Sequence, residues 1–438
     1  MAEGYVAGSD AVLGRCGQEG RHRQFDCRSQ DAGLAGQVGD AAALAVLPAG
    51  PHFSFKRTVV QMANINKYGG KALHAEIAGA GFAGLTAATA LAQRGWSVRL
   101  HERGPELRAF GAGIYLWQNG LRVLEGVGAL EDILTGSHTP PTYETRRHNL
   151  TVSRETFNGV PWRIMTRQHL HNGLAKRARE AGVEIRTNSE VVAADPSGKI
   201  TLASGEVLEA DLVVGADGVG SKVRDSIGFE QDRWVSTDGL IRVLVPRMKK
   251  ELGHGEWDNT IDMWNFWPRV LRILYSPCNE NELYLGLMAP AADPEGSRVP
   301  VHFDTWVEMF PFLEPVLAEA AKLKTARYDR YETRKLSEWV RGKVALVGDA
   351  AHAMCPALAQ GAGCAMVNAY SLAKELEEIP DVQEALVSWE KRIRPITDRC
   401  QALSGEYAAN RSLSKGNQFT PAALEAARYD PTRRVFSW

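Results

Sequence analysis

Residues 75–103 constrain this chain more than any other stretch, because glycines at fixed spacing stand between two short apolar runs. The first run precedes a glycine-rich turn and the second follows an alanine-rich segment, a pattern that predicts strand, turn, helix and strand. Gly79, Gly81 and Gly84 have the spacing G-x-G-x-x-G. The first glycine permits a tight turn, the second lets the backbone approach a pyrophosphate, and the third lets the helix pack closely on the strand.

The helix after this turn would direct free N–H groups and the positive end of its dipole toward phosphates. Glu102 and Arg103 end the second apolar run, where a carboxylate can hydrogen-bond the hydroxyls of an adenosine ribose. With Phe82 and Ala83 inside the motif, this arrangement predicts dinucleotide binding. The alternative is a glycine-rich turn between strand and helix in an unrelated α/β domain.

Composition excludes several classes of protein. The 438 residues suffice for two or three domains, and 51 Lys and Arg balance 52 Asp and Glu, which argues against nucleic-acid binding by bulk charge. The six cysteines show no C-x-x-C spacing, so neither a zinc site nor a disulfide framework is predicted. No run of about 18 apolar residues occurs, which argues against a membrane span. We expect a cytoplasmic protein that binds no metal.

Residues 1–61 differ from the rest of the chain in composition and periodicity. They are rich in Gly, Ala, Gln and Arg and show little periodicity, and they lack the order of regions that marks a secretory signal. A transit peptide is a weaker interpretation, since acidic residues are present as well. Met62 opens a short polar lead into the first strand. We therefore expect residues 1–61 to be a disordered or non-native extension without a role in the fold.

The texture changes again between residues 238 and 290, where aromatic and β-branched residues form four strands with alternating faces. This pattern predicts a separate antiparallel sheet inserted in the α/β domain. Helical patterns at 369–378 and 382–400 predict a helical C-terminal end. The fold class is therefore α/β, with a Rossmann-like domain and an inserted antiparallel β-sheet domain. The predicted boundaries are 72–141, 166–236 and 331–400 for the discontinuous nucleotide-binding domain, 142–165 and 237–330 for the inserted domain, and 401–438 for a C-terminal segment.

A second glycine motif, GADG, follows a buried apolar strand and places Asp217 and Gly218 just beyond the strand end. An aspartate there needs partners, because burying an unpaired carboxylate is costly. The free N–H groups of the following helix are one candidate partner, and a polar group of a cofactor is another.

A third motif, GDAAH, follows the strand at 343–347 and begins with Gly348 and Asp349. A loop with Pro356 comes next, and a glycine-rich helix start follows at Gln360, Gly361 and Ala362. His352 in this motif is tempting as a general base, but we expect a structural role in capping the loop.

The three motifs, in this order, resemble those of the FAD-dependent aromatic hydroxylases of the p-hydroxybenzoate hydroxylase type. The resemblance implies that the first motif holds the ADP half of FAD, that GADG lies near the pyrophosphate and serves NAD(P)H use, and that Asp349 contacts the ribityl chain. The cofactor-binding residues so implied are Gly79, Gly81, Phe82, Ala83, Gly84, Glu102, Arg103, Asp217, Gly218, Gly348, Asp349, Pro356, Gln360, Gly361 and Ala362.

Further segments, among them RAFGAGIYLWQNGLRVLEG, SHTPPTYET and FNGVPWRIMTR, resemble the branch of this family that acts on 2-methyl-3-hydroxypyridine-5-carboxylate in vitamin B6 degradation. The resemblance implies that NAD(P)H reduces FAD, that O2 forms a C4a-hydroperoxyflavin, and that the pyridine ring is oxygenated and opened. The wider family has G-Q-G where this chain has Ala359-Gln360-Gly361, which makes plain phenol hydroxylation a poorer fit.

A small pyridine carboxylate requires a cation for its carboxylate and neutral donors for its ring groups. Arginine fits the first need through its bidentate fork, and tyrosine fits the second. For each tyrosine the alternative is a sheet residue whose hydroxyl is satisfied by protein. The residues that the resemblance places around the flavin and substrate are Tyr115, Tyr143, Arg242, Arg272, Tyr284 and Tyr331. We expect Trp264, Phe266 and Trp267 to pack the inserted sheet.

Two alternatives remain open at this point. One is a related hydroxylase acting on 5-pyridoxate, 6-hydroxynicotinate or a salicylate, which the FAD motifs do not distinguish. The other is a flavin-bearing sensor without turnover. No second G-x-G-x-x-G locates the NAD(P)H site. The expected partner is a small-molecule substrate, and assembly into a homo-oligomer is compatible with the sequence.

Overall fold

The computed structural model describes residues 72–108, 112–409 and 419–432. The expectation for residues 1–61 lies outside the described residues. The strands are β1 (His74–Ala78), β2 (Ser97–His101), β3 (Gly113–Trp117), β4 (Tyr143–Arg147), β5 (Leu150–Glu155), β6 (Trp162–Thr166), β7 (Glu184–Arg186), β8 (Val191–Asp195), β9 (Lys199–Leu202), β10 (Val207–Glu209), β11 (Leu212–Gly215), β12 (Gln231–Pro246), β13 (Thr260–Asn265), β14 (Leu271–Pro277), β15 (Glu282–Pro290), β16 (Tyr328–Leu336), β17 (Val340–Arg341) and β18 (Val344–Leu346).

The helices are more numerous toward the C-terminal end. They are α1 (Phe82–Gln93), α2 (Gln118–Gly126), α3 (Leu130–Leu134), α4 (Arg167–Glu180), α5 (Lys222–Ile227), α6 (Phe303–Met309), α7 (Glu314–Lys322), α8 (Asp349–His352), α9 (Gly361–Glu378), α10 (Val382–Ala409) and α11 (Glu425–Arg428). Within the described residues, no helix has the length and apolarity that crossing a bilayer requires.

A six-stranded sheet with the order β17-β18-β11-β1-β2-β7 forms the nucleotide-binding part. All neighbouring strands are parallel except β17 and β18, which are antiparallel. Ala75 and Ile77 of the central strand are fully buried. Helices α1 and α9 pack against each other over this sheet, and their buried residues share its hydrophobic core. The mixed α/β architecture and the helical C-terminal region are therefore as the sequence predicts.

A seven-stranded sheet with the order β16-β12-β15-β14-β13-β4-β5 forms the second layer. The four antiparallel strands predicted between 238 and 290 are its centre, as β12 to β15. Its side chains alternate between two faces, as they do in any strand. Ile241, Ile273 and Leu287 lie on the face covered by α6 and α7, where Trp306 and Leu317 complete a separate core. The opposite face carries the polar residues.

The sheet extends beyond the predicted domain boundaries. Strand β12 begins at Gln231 and pairs with β16 as far as Leu336, so both strands cross the limits set at 236 and 330. Strand β4 lies inside the predicted segment 142–165 and joins the sheet in parallel with β13. The domain boundaries stay a prediction. They lie where the composition of the sequence changes, and composition does not reveal which distant strands share hydrogen bonds.

Two local expectations differ from the structure. The apolar spacing of residues 116–134 predicts a helix, yet Leu116 and Trp117 belong to β3, which pairs with β6. Pairing to a distant strand overrides the local period there. Trp267 does not pack the sheet: it lies in the turn between β13 and β14 and is 80 % exposed, while Trp264 and Phe266 stack on each other with centroids 5.7 Å apart.

Candidate active site

The first glycine motif forms the turn between β1 and α1, and each glycine has a separate reason. Gly79 has φ +96°, and a Cβ there would lie 2.5 Å from the Ala216 carbonyl oxygen. A Cβ at Gly84 would lie 1.9 Å from the Gly79 carbonyl oxygen, so only glycine lets α1 approach the turn. A Cβ at Gly81 would meet nothing within 4 Å. The turn is closed on its protein side and open at Gly81, which fits a pyrophosphate.

Glu102 lies beside this turn at the end of β2. Its carboxylate accepts hydrogen bonds from the backbone N–H of Ala80 at 3.2 Å and of Gly104 at 2.8 Å. These bonds fix the side chain where a ribose would be expected next to the turn. Arg103 is exposed at the same strand end, and Phe82 lies in the first turn of α1 with its ring 5.2 Å from the Arg167 guanidinium.

The GADG motif uses its aspartate to cap a helix. Asp217 accepts hydrogen bonds from the Ser221 hydroxyl at 2.5 Å and from the backbone N–H of Lys222 and Val223 at 2.7 and 3.2 Å. Burial raises the pKa of Asp217 despite these donors. The helix start is thus one partner of this carboxylate, as the sequence suggests, while Gly218 has φ +83° and open space at its Cα.

Arg224 connects this motif to the third one. Its side chain is fully buried and its Nη1 donates to the carbonyls of Val219 at 3.0 Å and Ala350 at 3.3 Å. Arg224 is not among the residues predicted from the sequence to bind the cofactor or the substrate. Because the two carbonyls belong to separate glycine loops, Arg224 fixes one loop against the other.

The GDAAH motif packs directly on the first one. Gly348 has φ +64°, and a Cβ there would approach the Ala83 Cβ to 2.9 Å, so glycine is required for close contact with α1. Asp349 begins α8 and is open to solvent on one side. Protein nevertheless surrounds it so closely that burial raises the pKa of its carboxyl, although Arg167 and Arg242 act in the opposite direction. Asp349 therefore lines a solvent-accessible cavity that Arg167 of α4 and Arg242 of β12 also border.

The loop after α8 leads to the N-terminus of α9. Pro356 is exposed, whereas the Gln360 side chain is buried and donates to the Ala423 carbonyl, at 2.6 Å. The contact with the cofactor that is predicted for Gln360 would therefore be made by its backbone atoms. Gly361 and Ala362 form the first turn of α9, where backbone N–H groups lack intrahelical partners.

The polar face of the seven-stranded sheet closes the cavity from the other side. Residues directly opposite each other on neighbouring strands share a face. Arg242 is opposite Gly286, Gly286 is opposite Leu274, and Leu274 is opposite Asp262, so these four form one row. Tyr284 belongs to the adjacent row, opposite Leu244 and Ser276.

Arg272 has a buried partner that the sequence analysis missed. Asp262 binds its Nε and accepts from its Nη2 at 2.9 Å, and the Tyr143 hydroxyl donates to the same carboxylate at 3.1 Å. The charge of Arg272 is thus neutralised within the protein. Its Nη1 donates to the Met288 sulfur at 3.7 Å, and its guanidinium lies over the Trp264 ring, 4.8 Å from the centroid. The sequence did contain a signal for Asp262, because this residue is the charged one within the largely apolar strand TIDMWN.

Tyr115 and Tyr284 lie next to Tyr143 at the junction of β3 with the large sheet. The Tyr115 hydroxyl is 2.5 Å from the Ser276 hydroxyl, and its ring stacks on Trp162. The Tyr284 hydroxyl has no hydrogen-bond partner among the described residues. Burial raises the pKa of both tyrosines, so both stay protonated at neutral pH.

Arg167 is a further residue that sequence reasoning missed. It begins α4, and its guanidinium forms no hydrogen bond or ion pair within the described part of the chain. Burial lowers its pKa, as does Arg242, while Asp349 opposes both. A cation at a helix N-terminus is disfavoured by the dipole, which was the signal for a special role. Arg242 itself pairs with the half-exposed Asp329 at 3.1 Å.

Tyr331 and His352, the last two residues singled out from the sequence, are packed within the protein. Tyr331 is buried with Leu240, Met288 and Cys355. His352 is buried, its Nε2 lies 2.8 Å from the Asn368 amide nitrogen, and burial lowers its pKa to about 4. A neutral, enclosed imidazole agrees with the structural role expected for it.

Comparison with known proteins agrees with this geometry. The model of the FAD binding domain family matches residues 73–398. The solved tetrameric form of 2-methyl-3-hydroxypyridine-5-carboxylic acid oxygenase is 80 % identical, with a TM-score of 0.82 over 84 % of this chain and 100 % of that chain.

Two curated relatives are more distant. The 2-heptyl-3-hydroxy-4(1H)-quinolone synthase of Mycobacteroides abscessus is 37 % identical over 335 residues, which cover 76 % of this chain and 88 % of that protein. The 3-hydroxybenzoate 6-hydroxylase 1 of Aquipseudomonas alcaligenes is 31 % identical over 355 residues, covering 76 % and 88 %. The chain belongs to the FAD binding domain family and is a flavin-dependent oxygenase.

Proposed function

We propose that this enzyme uses NAD(P)H and O2 to oxygenate and open the ring of 2-methyl-3-hydroxypyridine-5-carboxylate. The observation that carries the proposal is that Arg167 and Arg242 lie close enough to both Asp349 and Tyr284 to affect the pKa of each. This combination of cations with a protonated phenol suits a small aromatic acid. The 80 % identity to the oxygenase of that name supports the choice of substrate.

The residues of the cavity wall fit FAD. The open space at Gly81 admits a pyrophosphate, Glu102 is held where the ribose would lie, and Asp349 would meet the ribityl hydroxyls. Arg167, whose guanidinium packs over the Phe82 ring and forms no hydrogen bond or ion pair among the described residues, would neutralise part of the phosphate charge. When bound, FAD supplies the reduction by NAD(P)H and the activation of O2.

The opposite wall would bind the substrate. Arg242 can exchange its half-exposed partner Asp329 for the substrate carboxylate at low cost, because exposed ion pairs are weak. Arg272 keeps Nη1 as a donor beyond its pair with Asp262. Tyr284 offers a hydroxyl for a ring group, and the aromatic residues around Tyr115 exclude water.

Purified enzyme with FAD should consume NAD(P)H faster when the pyridine carboxylate is added. The product should contain two more oxygen atoms and two more hydrogen atoms than the substrate, which mass spectrometry detects. Unchanged consumption across a panel of pyridine carboxylates and phenols would contradict the proposal and favour a sensor.

Simple hydroxylation is the second candidate, because the 3-hydroxybenzoate 6-hydroxylase carries that activity in its name. A product that gains one oxygen atom only, from 5-pyridoxate, 6-hydroxynicotinate or a salicylate, would select it. Assembly into a tetramer, as described for the 80 % identical oxygenase, is part of the proposal for this chain.

A further inference from the structure

Tyr284 lies between two glycines that leave it little freedom. A Cβ at Gly113 in β3 would be 2.6 Å from the Tyr284 Cβ and 2.7 Å from its Cγ and Cδ1. A Cβ at Gly286, two residues further along β15, would be 3.0 Å from the Tyr284 hydroxyl oxygen. One glycine therefore contacts the root of the side chain, and the other contacts its tip.

Neither glycine is needed for backbone conformation. Both belong to regular strands, and neither has a positive φ. Glycine within a strand weakens it, since it contributes no side chain to packing. The space next to Tyr284 is the remaining reason for glycine at both positions.

We propose that Gly113 and Gly286 are positioning residues that hold the Tyr284 hydroxyl in the substrate cavity, because each leaves the space that the tyrosine side chain occupies. The inference rests on the proposed function and deepens it. Gly286 stands between Arg242 and Leu274 in the row that crosses the sheet. A Cβ at Gly286 would also lie 3.3 Å from the Leu240 Cδ1, so the space at this glycine is bounded by the tip of Tyr284 and by Leu240.

The position of the hydroxyl matters because it is a donor held ready for the substrate. The Tyr284 side chain is 5 % exposed, and its hydroxyl forms no hydrogen bond among the described residues. A bound acceptor would therefore gain a hydrogen bond for which no protein group competes. Displacing the hydroxyl by a few tenths of an ångström would weaken that bond.

The test is a double-mutant cycle with Gly286→Ala and Tyr284→Phe, measured by calorimetric titration with 2-methyl-3-hydroxypyridine-5-carboxylate. Each single variant should raise Kd about tenfold, the effect of one lost hydrogen bond. The double variant should bind as Tyr284→Phe does, because alanine then has no hydroxyl to displace. Additive losses would overturn the proposal.

Gly405→Ala is the matched control, since a Cβ there meets nothing within 4 Å and the position lies in α10. It should leave Kd unchanged. A crystal structure of Gly286→Ala supplies a readout that needs no substrate: the Tyr284 hydroxyl should move away from residue 286, and an unmoved hydroxyl would refute the inference. A wild-type enzyme that binds no pyridine carboxylate would instead refute the proposed function.

Discussion

Replacing Asp262 by asparagine tests whether the buried ion pair with Arg272 holds the substrate side of the cavity together. Both side chains are at most 6 % exposed. At the 2.9 Å between Nη2 and Oδ2, opposite charges attract by roughly 6 kcal/mol at an effective dielectric constant of about 20. Desolvation of the two groups offsets much of this attraction, but removing one partner leaves a buried charge, which costs about 3–5 kcal/mol.

Asp262→Asn should therefore lower the unfolding temperature by roughly 5–10 °C. Asp329→Asn is the matched control, because Asp329 and its partner Arg242 are 39 % and 31 % exposed, and such pairs contribute about 1 kcal/mol or less. Thermal unfolding of both variants at equal FAD content provides the measurement, since bound cofactor itself shifts the transition.

The double variant Asp262→Asn with Arg272→Gln separates folding from function. No uncompensated charge remains buried, so most of the lost stability should return. Substrate affinity should stay low, because the Arg272 guanidinium is gone. Equal destabilisation by Asp262→Asn and Asp329→Asn, or a double variant no more stable than the single one, would refute the reasoning.

Three further predictions concern the nucleotide-binding part. Gly84→Val should prevent folding, since even a Cβ would lie 1.9 Å from a carbonyl oxygen, whereas Gly81→Val should fold but bind FAD at least about tenfold more weakly. Unfolding of the apoproteins and titration with FAD measure these two effects. Equal loss of the fold in both variants would contradict the prediction. Burial raises the pKa of Glu76, but hydrogen bonds from His101 and His74 outweigh it and the pKa is lowered to about 2. A depressed pKa contributes stability above the unfolded value of 4.5 that is lost as pH falls toward 2, up to about 3 kcal/mol, so Glu76→Gln should remove this part of the acid dependence in unfolding titrations. His352 has its pKa lowered to about 4, so His352→Asn should leave the pH profile of kcat unchanged between about pH 6 and 8, and a lost inflection there would indicate general-base catalysis.

Local chemistry made several features readable from the sequence. The glycines of the first motif, the strand before them and the helix after them appear where the pattern predicts, because turn geometry restricts which residues fit. The alternating pattern of the four inserted strands predicted antiparallel pairing, and these strands pair so within a larger, mixed seven-stranded sheet.

Partners that are distant along the chain could not be predicted in the same way. The carboxylate that neutralises Arg272 comes from a neighbouring strand, and the same carboxylate binds Tyr143 from a third. Sequence reasoning expected Arg272 to have a partner but could not say that the protein itself supplies it. Arg167 was missed because the electrostatic environment of its guanidinium depends on Asp349 and Arg242, which approach it only in the folded chain.

The sequence by itself determined the family, the FAD motifs and the residue types that an aromatic acid requires, since each depends on residues close together in the chain. Only the tertiary structure decided which cations remain available in the cavity and which glycines stand beside Tyr284. Strand register places Arg242 opposite Gly286 and Asp262 opposite Leu274, and register is fixed by hydrogen bonds between segments that no local pattern connects.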